Sequence, residues 1–163
     1  MTGLGERDSS QLELARAFGV DLTVDVAATG ERDPVRALRQ AGYRGADVVV
    51  DVTAKAPAAF AQAIDLAATG GRVVVAGTRG VGDRTPGFDP DRIVYRELTI
   101  MGALGVDYPA YEAALRLLAT NRFPFESLPR ETVGLDGVGE LIARLAGERE
   151  GAVPVHGVVL PGA

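Results

Sequence analysis

The sequence predicts an α/β protein built on a doubly wound parallel sheet. Three short apolar runs, "VVVDV" at 48–52, "RVVVAG" at 72–77 and "LTIMGALG" at 98–105, are separated by segments with helical spacing. The first two runs lack polar alternation, so we expect those strands to be buried on both faces. Strands that alternate with helices at this rhythm form right-handed parallel βαβ units.

The first third of the chain holds two strand and helix pairs. Residues 1–4 are apolar like the end of a strand, and after a polar turn a helical pattern extends to Gly19. A strand at 21–26 is followed by a helix that has Pro34 in its first turn.

The middle of the chain continues the alternation. After the valine-rich strand, a helical stripe that includes Phe60 and Ile64 is expected to stop at Gly70. A loop rich in glycine and proline at 77–90 leads to one helical turn, "DRIVYRE". The strand at 98–105 then precedes a helix with Pro109 near its start.

The pattern changes after Arg122. An irregular stretch with a possible strand is followed by an amphipathic helix that Asp136 is expected to cap, and "PVHGVVLP" forms a last strand. We expect that strand to pair outside the main sheet. The predicted organisation is therefore a parallel α/β domain at 1–122 and a separate C-terminal segment at 123–163.

Composition excludes several function classes. The 163 residues are 47% hydrophobic, enough for a core, and the net charge is −5 with 17 basic residues scattered among 22 acidic ones, which disfavours nucleic acid as a partner. The chain has no cysteine, so disulfides and thiolate zinc sites are excluded, and it has one histidine. No apolar run approaches the ~20 residues that span a bilayer. We expect a soluble, cytoplasmic protein.

Small residues follow three neighbouring strands. Thr53, Ala76 with Gly77, and Ala103 with Gly105 come just after the predicted strands. Ligands of open parallel sheets bind at the carboxyl ends of the strands, where small residues let a flat ring approach the backbone. Glycine after a strand also serves ordinary turns, but three such ends side by side favour a cofactor edge.

The first loop, "TGLGERDSS", lacks the third glycine of a dinucleotide fingerprint. We interpret it as the loop beside an adenosine ribose. Gly3 stands there in place of the usual acid, and Arg7, Ser9 and Ser10 are candidate ligands for a 2′-phosphate. The same side chains would equally serve to cap the following helix.

For two further residues with reactive side chains, a structural or solvent-exposed position is favoured over a functional role. His156 lies in the last strand, and Lys55 follows Thr53 in a loop that we expect to be solvated. The sequence offers neither a Ser-His-Asp triad nor a pair of catalytic carboxylates.

Three long segments carry a family resemblance: "GADVVVDVTAKAPAAFAQAIDLAATGGRVVVAG", "IVYRELTIMGALGVDYPAYEAALRLLA" and the ending "LPRETVGLDGVGELIARLAGE" with "PVHGVVLP". Their order and spacing resemble the C-terminal half of zinc-type medium-chain alcohol dehydrogenases, including the polyol and threonine dehydrogenases. The resemblance covers essentially the whole chain. It implies a Rossmann-like sheet and binding of NAD or NADP.

The resemblance assigns roles residue by residue. Main-chain groups at Ala76, Ala103 and Gly105 match those that hold the nicotinamide carboxamide, and Thr53 matches the residue beside the nicotinamide ribose. The strand at 98–103 resembles the edge through which such enzymes dimerise.

Members of that family also carry a catalytic domain with zinc ligands, then a first strand and a glycine-rich turn, which have no counterpart here. By this resemblance Met1 falls near the end of the second strand, so we expect a fragment, a truncated product or a mis-called start. With the first strand missing, the strands at 21–26 and 46–52 must close the gap or stay apart.

The sequence therefore predicts the C-terminal part of an NAD(P)-dependent alcohol or polyol dehydrogenase. We expect it to be inactive alone, with weak or lost cofactor binding and no zinc ligands. The alternative is a non-catalytic remnant that binds a nucleotide or dimerises. A methyltransferase is disfavoured because its glycine-rich motif follows a first strand.

Overall fold

A computed structural model describes residues 1–3, 5, 8–28, 33–54, 56–80, 82, 84–149 and 154–162. Within these ranges helices alternate with strands along the whole chain. The strands are β1 (Thr2–Gly3), β2 (Val24–Asp25), β3 (Ala46–Asp51), β4 (Ala67–Val75), β5 (Thr99–Gly102), β6 (Arg130–Val133) and β7 (His156–Val159). The α-helices are α1 (Ser9–Ala17), α2 (Pro34–Gln40), α3 (Ala59–Leu66), α4 (Asp91–Tyr95), α5 (Tyr108–Ala119) and α6 (Val138–Leu145).

Three separate parallel sheets make up the described structure. β1 pairs with β2, the strands β3, β4 and β5 lie side by side in that order, and β6 pairs with β7. Every pair is parallel, so the predicted parallel α/β fold is confirmed. In the described ranges β2 does not pair with β3, so those strands stay apart, and the last strand lies outside the main sheet as predicted.

Two apolar clusters hold the sheets to their helices. The larger cluster lies between α3 and the central strand β4, where Ile64 and Val73 are fully buried. The second joins β2 to α2 through Val24 and Leu38, and Tyr43 and Leu66 pack against it. Because Leu66 ends α3, this second cluster connects the β1–β2 unit to the three-stranded sheet.

Two helices begin as the sequence predicts. The carboxylate of Asp33 accepts a hydrogen bond from the amide of Val35 at 2.9 Å, just before Pro34 opens α2. Asp107 does the same for α5 through the amide of Ala110, at 3.0 Å. Each cap pairs an amide that the first helical turn leaves without a partner.

The prediction that the valine-rich strand is buried on both faces is wrong. In β3 the side chains of Val48 and Val50 are 52% and 58% exposed, whereas Val49 packs against the core cluster. Side chains alternate across a strand, and α3 packs against the face that carries Val49. Nothing in the described ranges buries the opposite face.

The predicted end of α3 at Gly70 is also wrong, because the helix ends at Leu66 and β4 begins at once with Ala67. The side chain of Arg96 explains this sharp end. Its Nη1 atom donates to three backbone carbonyl oxygens at the helix end, each at 3.2 Å, those of Ile64, Asp65 and Ala67. The last helical carbonyls are thus paired without a glycine cap.

The C-terminal helices also differ in detail from the prediction. Asp136 lies in a short 3₁₀ turn, Leu135–Gly137, and α6 follows from Val138 without a side-chain cap. Helix α5 has Pro109 near its start, as predicted, but buries none of its residues. None of the helices in the described ranges combines the length and apolarity needed to cross a membrane.

Candidate functional site

The residues predicted to form a cofactor edge lie at the carboxyl ends of three adjacent parallel strands. Thr53 follows β3, Ala76 and Gly77 follow β4, and Ala103 and Gly105 follow β5. All of these residues are exposed except Gly77, which is half-buried. The residues proposed from the three runs therefore lie along one edge of one sheet.

Gly77 lies in backbone contact with Thr53. A Cβ atom built on Gly77 would overlap the carbonyl oxygen of Thr53 and lie 2.6 Å from its carbonyl carbon and 2.9 Å from its amide nitrogen. Real Cβ atoms do not come this close to backbone. The glycine is therefore required by the close approach of two loops, which goes beyond ordinary turn chemistry.

Three amides along this edge are already paired within the sheet. The amides of Ala76 and Gly77 donate to the carbonyl oxygen of Asp51 at 2.9 and 3.2 Å, and the amide of Ala103 donates to the carbonyl oxygen of Val75 at 2.9 Å. The carbonyl oxygens of Ala76 and Ala103 and the amide of Gly105 take part in no hydrogen bond among the described residues. The edge thus offers a ligand two acceptors and one donor.

A buried acid, which the sequence analysis did not select, organises the edge. The Asp51 side chain is only 4% exposed, and its Oδ1 atom accepts hydrogen bonds from the amide and the hydroxyl of Thr53, at 3.0 and 2.6 Å. Its Oδ2 atom pairs with the guanidinium of Arg79. The guanidinium in turn donates to the carbonyl oxygen of Gly77 at 3.3 Å. Asp51 thereby connects both loops of the edge.

Arg79 is held on an aromatic surface. Its guanidinium carbon lies 6.0 Å from the ring centre of Phe60, and that ring meets Phe88 edge to face with 5.1 Å between centres. The Nε atom of Arg79 is buried with no partner among the described residues. Because a buried unpaired donor is costly, the ion pair and the ring contact must offset that cost.

The first loop is closed by a different acid. The Oδ1 atom of Asp25 accepts hydrogen bonds from the amides of Gly5 and Ala27, at 2.8 and 2.9 Å. The bond from Gly5 is the largest cause of a lowered pKa of Asp25, and partial desolvation opposes it. Ser9 is exposed and begins α1 beside this loop, in the β1–β2 unit and not in the three-stranded sheet. Arg7 lies outside the described residues.

Of the two other reactive side chains, His156 lies in the separate β6–β7 sheet. His156 is exposed at the start of β7 and pairs in register with Arg130 of β6. Lys55 lies outside the described residues. In the described part of the chain, no three acidic, histidine or cysteine side chains cluster in a way that could hold a metal ion.

A cavity of about 370 Å³ lies away from the candidate edge. Among the described residues that the sequence proposes as ligands, Ser10 lines it and those of the strand ends do not. Its walls come from α1, β6, α6 and the approach to β7: Ser10, Leu14, Pro129, Arg130, Glu131, Arg144, Pro154 and Val155.

The sequence of the chain matches a dehydrogenase family model and a curated dehydrogenase. Residues 5–120 match the family model described as zinc-binding dehydrogenase. The chain is 60% identical over 161 residues to the probable alcohol dehydrogenase of Mycobacterium tuberculosis strain H37Rv, an alignment that covers 99% of this chain and 43% of that protein. The chain therefore spans less than half the length of this curated relative.

Solved structures share the fold. An alcohol dehydrogenase zinc-binding domain protein of Burkholderia ambifaria superposes with a TM-score of 0.72 at 25% identity, over 90% of this chain and 39% of that one. A structure titled as an NAD-dependent alcohol dehydrogenase superposes with a TM-score of 0.68 at 26% identity, over 91% of this chain and 40% of that one.

Proposed function

The chain belongs to the zinc-binding dehydrogenase family, and we propose that it forms the nucleotide-binding half of an NAD(P)-dependent alcohol or polyol dehydrogenase. The observation that carries the proposal is the edge at Thr53, Ala76 and Ala103, which lies where parallel sheets bind nucleotides. We further propose that residues 1–122 form the nucleotide-binding part. Residues 123–163, which hold the separate β6–β7 sheet, would pack against a catalytic part.

The unpaired main-chain groups of the edge match a nicotinamide carboxamide. A primary amide carries two N–H donors and one carbonyl acceptor. The carbonyl oxygens of Ala76 and Ala103 would accept from its amino group, and the amide of Gly105 would donate to its oxygen. When bound, the nicotinamide ring accepts or supplies the hydride of alcohol oxidation or carbonyl reduction. The chain's part is to hold and orient that ring.

The adenosine end of the nucleotide would lie beside the first loop. A Cβ atom on Gly3 would lie 3.0 Å from Cβ of Asp8 and 3.1 Å from Leu12, so this position has little room for an acidic side chain that binds a ribose. Ser9 and Arg7, which lie in or next to this loop in the sequence, would contact a 2′-phosphate there.

The residues of this chain do not fit a catalytic zinc ion. The sequence has no cysteine and a single histidine, and the described residues contain no ligand cluster. Catalytic zinc needs three protein ligands and an open position. We therefore derive no zinc-dependent step here and expect the 163-residue chain to bind a nucleotide without turning over alcohols.

Equilibrium dialysis of the purified chain with NADH and with NADPH tests the proposal, alongside an assay with a panel of primary, secondary and polyhydric alcohols. We expect saturable binding of at least one cofactor and no turnover. Robust turnover by the chain alone would show that the assignment as a cofactor-binding half is wrong. Failure of both cofactors to bind would remove the nucleotide-binding function.

The exposed edge of β5 supports a second candidate, a remnant that associates with another chain and catalyses nothing. Within the described ranges β5 pairs only with β4, and Met101, Leu104 and Val106 are 47%, 93% and 57% exposed. An unpaired strand edge is a template for pairing. Sedimentation velocity of the chain and of the Met101→Lys variant would test this, and a monomeric wild type would exclude self-association.

A further inference from the structure

We propose that Asp51 and Arg79 are positioning residues that fix the cofactor edge and set the hydrogen-bonding character of Thr53. The inference rests on the proposed nucleotide-binding function and extends it to residues that do not themselves face a ligand. Neither residue is among the candidate site residues that the sequence predicts.

Asp51, Gly77 and Arg79 form a closed ring of hydrogen bonds, and Thr53 is bonded to it through Asp51. The carbonyl oxygen of Asp51 accepts from the amide of Gly77 at 3.2 Å, and the carbonyl oxygen of Gly77 accepts from Arg79 at 3.3 Å. Arg79 pairs with one carboxylate oxygen of Asp51, and the other oxygen accepts a hydrogen bond from the hydroxyl of Thr53. Because the ring joins the loop after β3 to the loop after β4, neither loop can shift alone.

The ring also fixes the direction of the Thr53 hydroxyl. A carboxylate paired with a guanidinium has no proton to give, so the hydroxyl must donate to Asp51 across the 2.6 Å separation. Its remaining lone pairs are then its only hydrogen-bonding capacity. Thr53, which is exposed, would therefore act toward a bound nucleotide as an acceptor. An acceptor at this place selects a ligand hydroxyl group such as that of a ribose.

Burial makes this arrangement stiff. The side chains of Asp51 and Arg79 are 4% and 13% exposed, so water competes little for their hydrogen bonds. The ion pair between Asp65 and Arg92 has the same chemistry but is more open, with side chains 26% and 40% exposed, and it lies away from the strand ends. It therefore serves as a matched control.

The test is a double-mutant cycle on cofactor affinity. The variants are Asp51→Asn, Thr53→Val and the pair together, with Thr53→Ser to restore the hydroxyl, and the probe is NADH or NADPH, whichever the wild type binds. If Asp51 acts through Thr53, each single variant loses about tenfold in affinity and the double variant loses no more than one of them. Thr53→Ser should retain affinity, and Asp65→Asn should bind as the wild type does.

The outcomes separate the two proposals. A wild type that binds neither cofactor overturns the proposed function and this inference with it. Wild-type binding combined with an unchanged affinity of Thr53→Val overturns the inference alone. Losses that add in the double variant would show that Asp51 acts independently of Thr53 and would overturn the inference. If Asp51→Asn does not fold, as judged by thermal unfolding, Arg79→Lys replaces it in the same cycle and is held to the same outcomes.

Discussion

The phenolic hydroxyl of Tyr43 donates a hydrogen bond to the carbonyl oxygen of Leu66, with 3.2 Å between the two oxygens. Tyr43 follows α2 and Leu66 ends α3, so this bond connects the β1–β2 unit to the three-stranded sheet. Both side chains pack against the second core cluster. Because β2 and β3 do not pair in the described ranges, such contacts replace the missing ladder between them.

Tyr43→Phe should lower the free energy of unfolding by about 1 kcal/mol at neutral pH, because it leaves the carbonyl of Leu66 without this donor. Burial, with a smaller contribution from Asp47, raises the pKa of Tyr43 above its ordinary value of 10.0. A raised pKa of this kind contributes stability below pH 10 that is lost as the pH rises through the folded-state value. The difference in the free energy of unfolding between the variant and the wild type should therefore become smaller in alkali. Urea unfolding at pH 7 and above pH 10 measures both effects, and a gap that widens in alkali would contradict the assignment.

Ile64→Ala should be strongly destabilising, whereas Leu115→Ala should not. Ile64 is 1% exposed in the larger cluster, so truncation leaves a cavity and costs about 2–5 kcal/mol. Leu115 is 65% exposed on α5, and its truncation should change stability by less than about 0.5 kcal/mol. Urea denaturation of the two variants compares them directly. Equal losses would mean that α5 is covered in solution, for example by another chain.

Local signals predicted the helices well because their causes lie within a few residues. Asp33 with Pro34 begins α2 and Asp107 begins α5, and in each case the acid caps an amide two or three residues later. The parallel direction of the strands was also predictable, since strands that alternate with helices form parallel βαβ units. The family resemblance was carried by the same local segments, and the match over residues 5–120 confirms it.

Burial and long-range pairing could not be predicted in the same way. The valines of β3 have the pattern of a strand covered on both faces, but whether a face is covered depends on neighbours and not on the strand itself. The pair of Asp51 and Arg79 joins residues 28 positions apart. A signal did exist, because an acid near the end of an apolar strand needs a partner if it is buried. Its partner could be identified only from the fold.

Gly77→Ala should disturb the cofactor edge, and Gly102→Ala should not. The added Cβ atom at Gly77 meets the backbone of Thr53, which cannot move aside without breaking the ring at Asp51, so we expect a loss of about 1–3 kcal/mol in stability. At Gly102 a Cβ atom meets nothing within 4 Å. That variant should remain within about 0.5 kcal/mol of the wild type. Urea denaturation with parallel cofactor dialysis checks both, and a stable Gly77→Ala variant would disprove the close approach of the two loops.

Asp25→Asn should flatten the loss of stability in acid. The amide of Gly5 lowers the pKa of Asp25 below its ordinary value of 3.8, with help from the amides of Ala27 and Ala28 and against partial desolvation. A lowered pKa means that the unfolded chain takes up this proton first as the pH falls. The contribution of Asp25 is therefore complete well above pH 3.8 and is lost as the pH drops through the folded-state value.

Asparagine at position 25 keeps an oxygen to accept both bonds but does not titrate. Urea unfolding between about pH 7 and pH 3 should give a shallower acid slope for this variant than for the wild type. Asp21→Asn, which removes an exposed acid that accepts no hydrogen bond within the described residues, is the control for the loss of one negative charge. Equal slopes for Asp25→Asn and the wild type would show that the first loop is not closed by this carboxylate in solution.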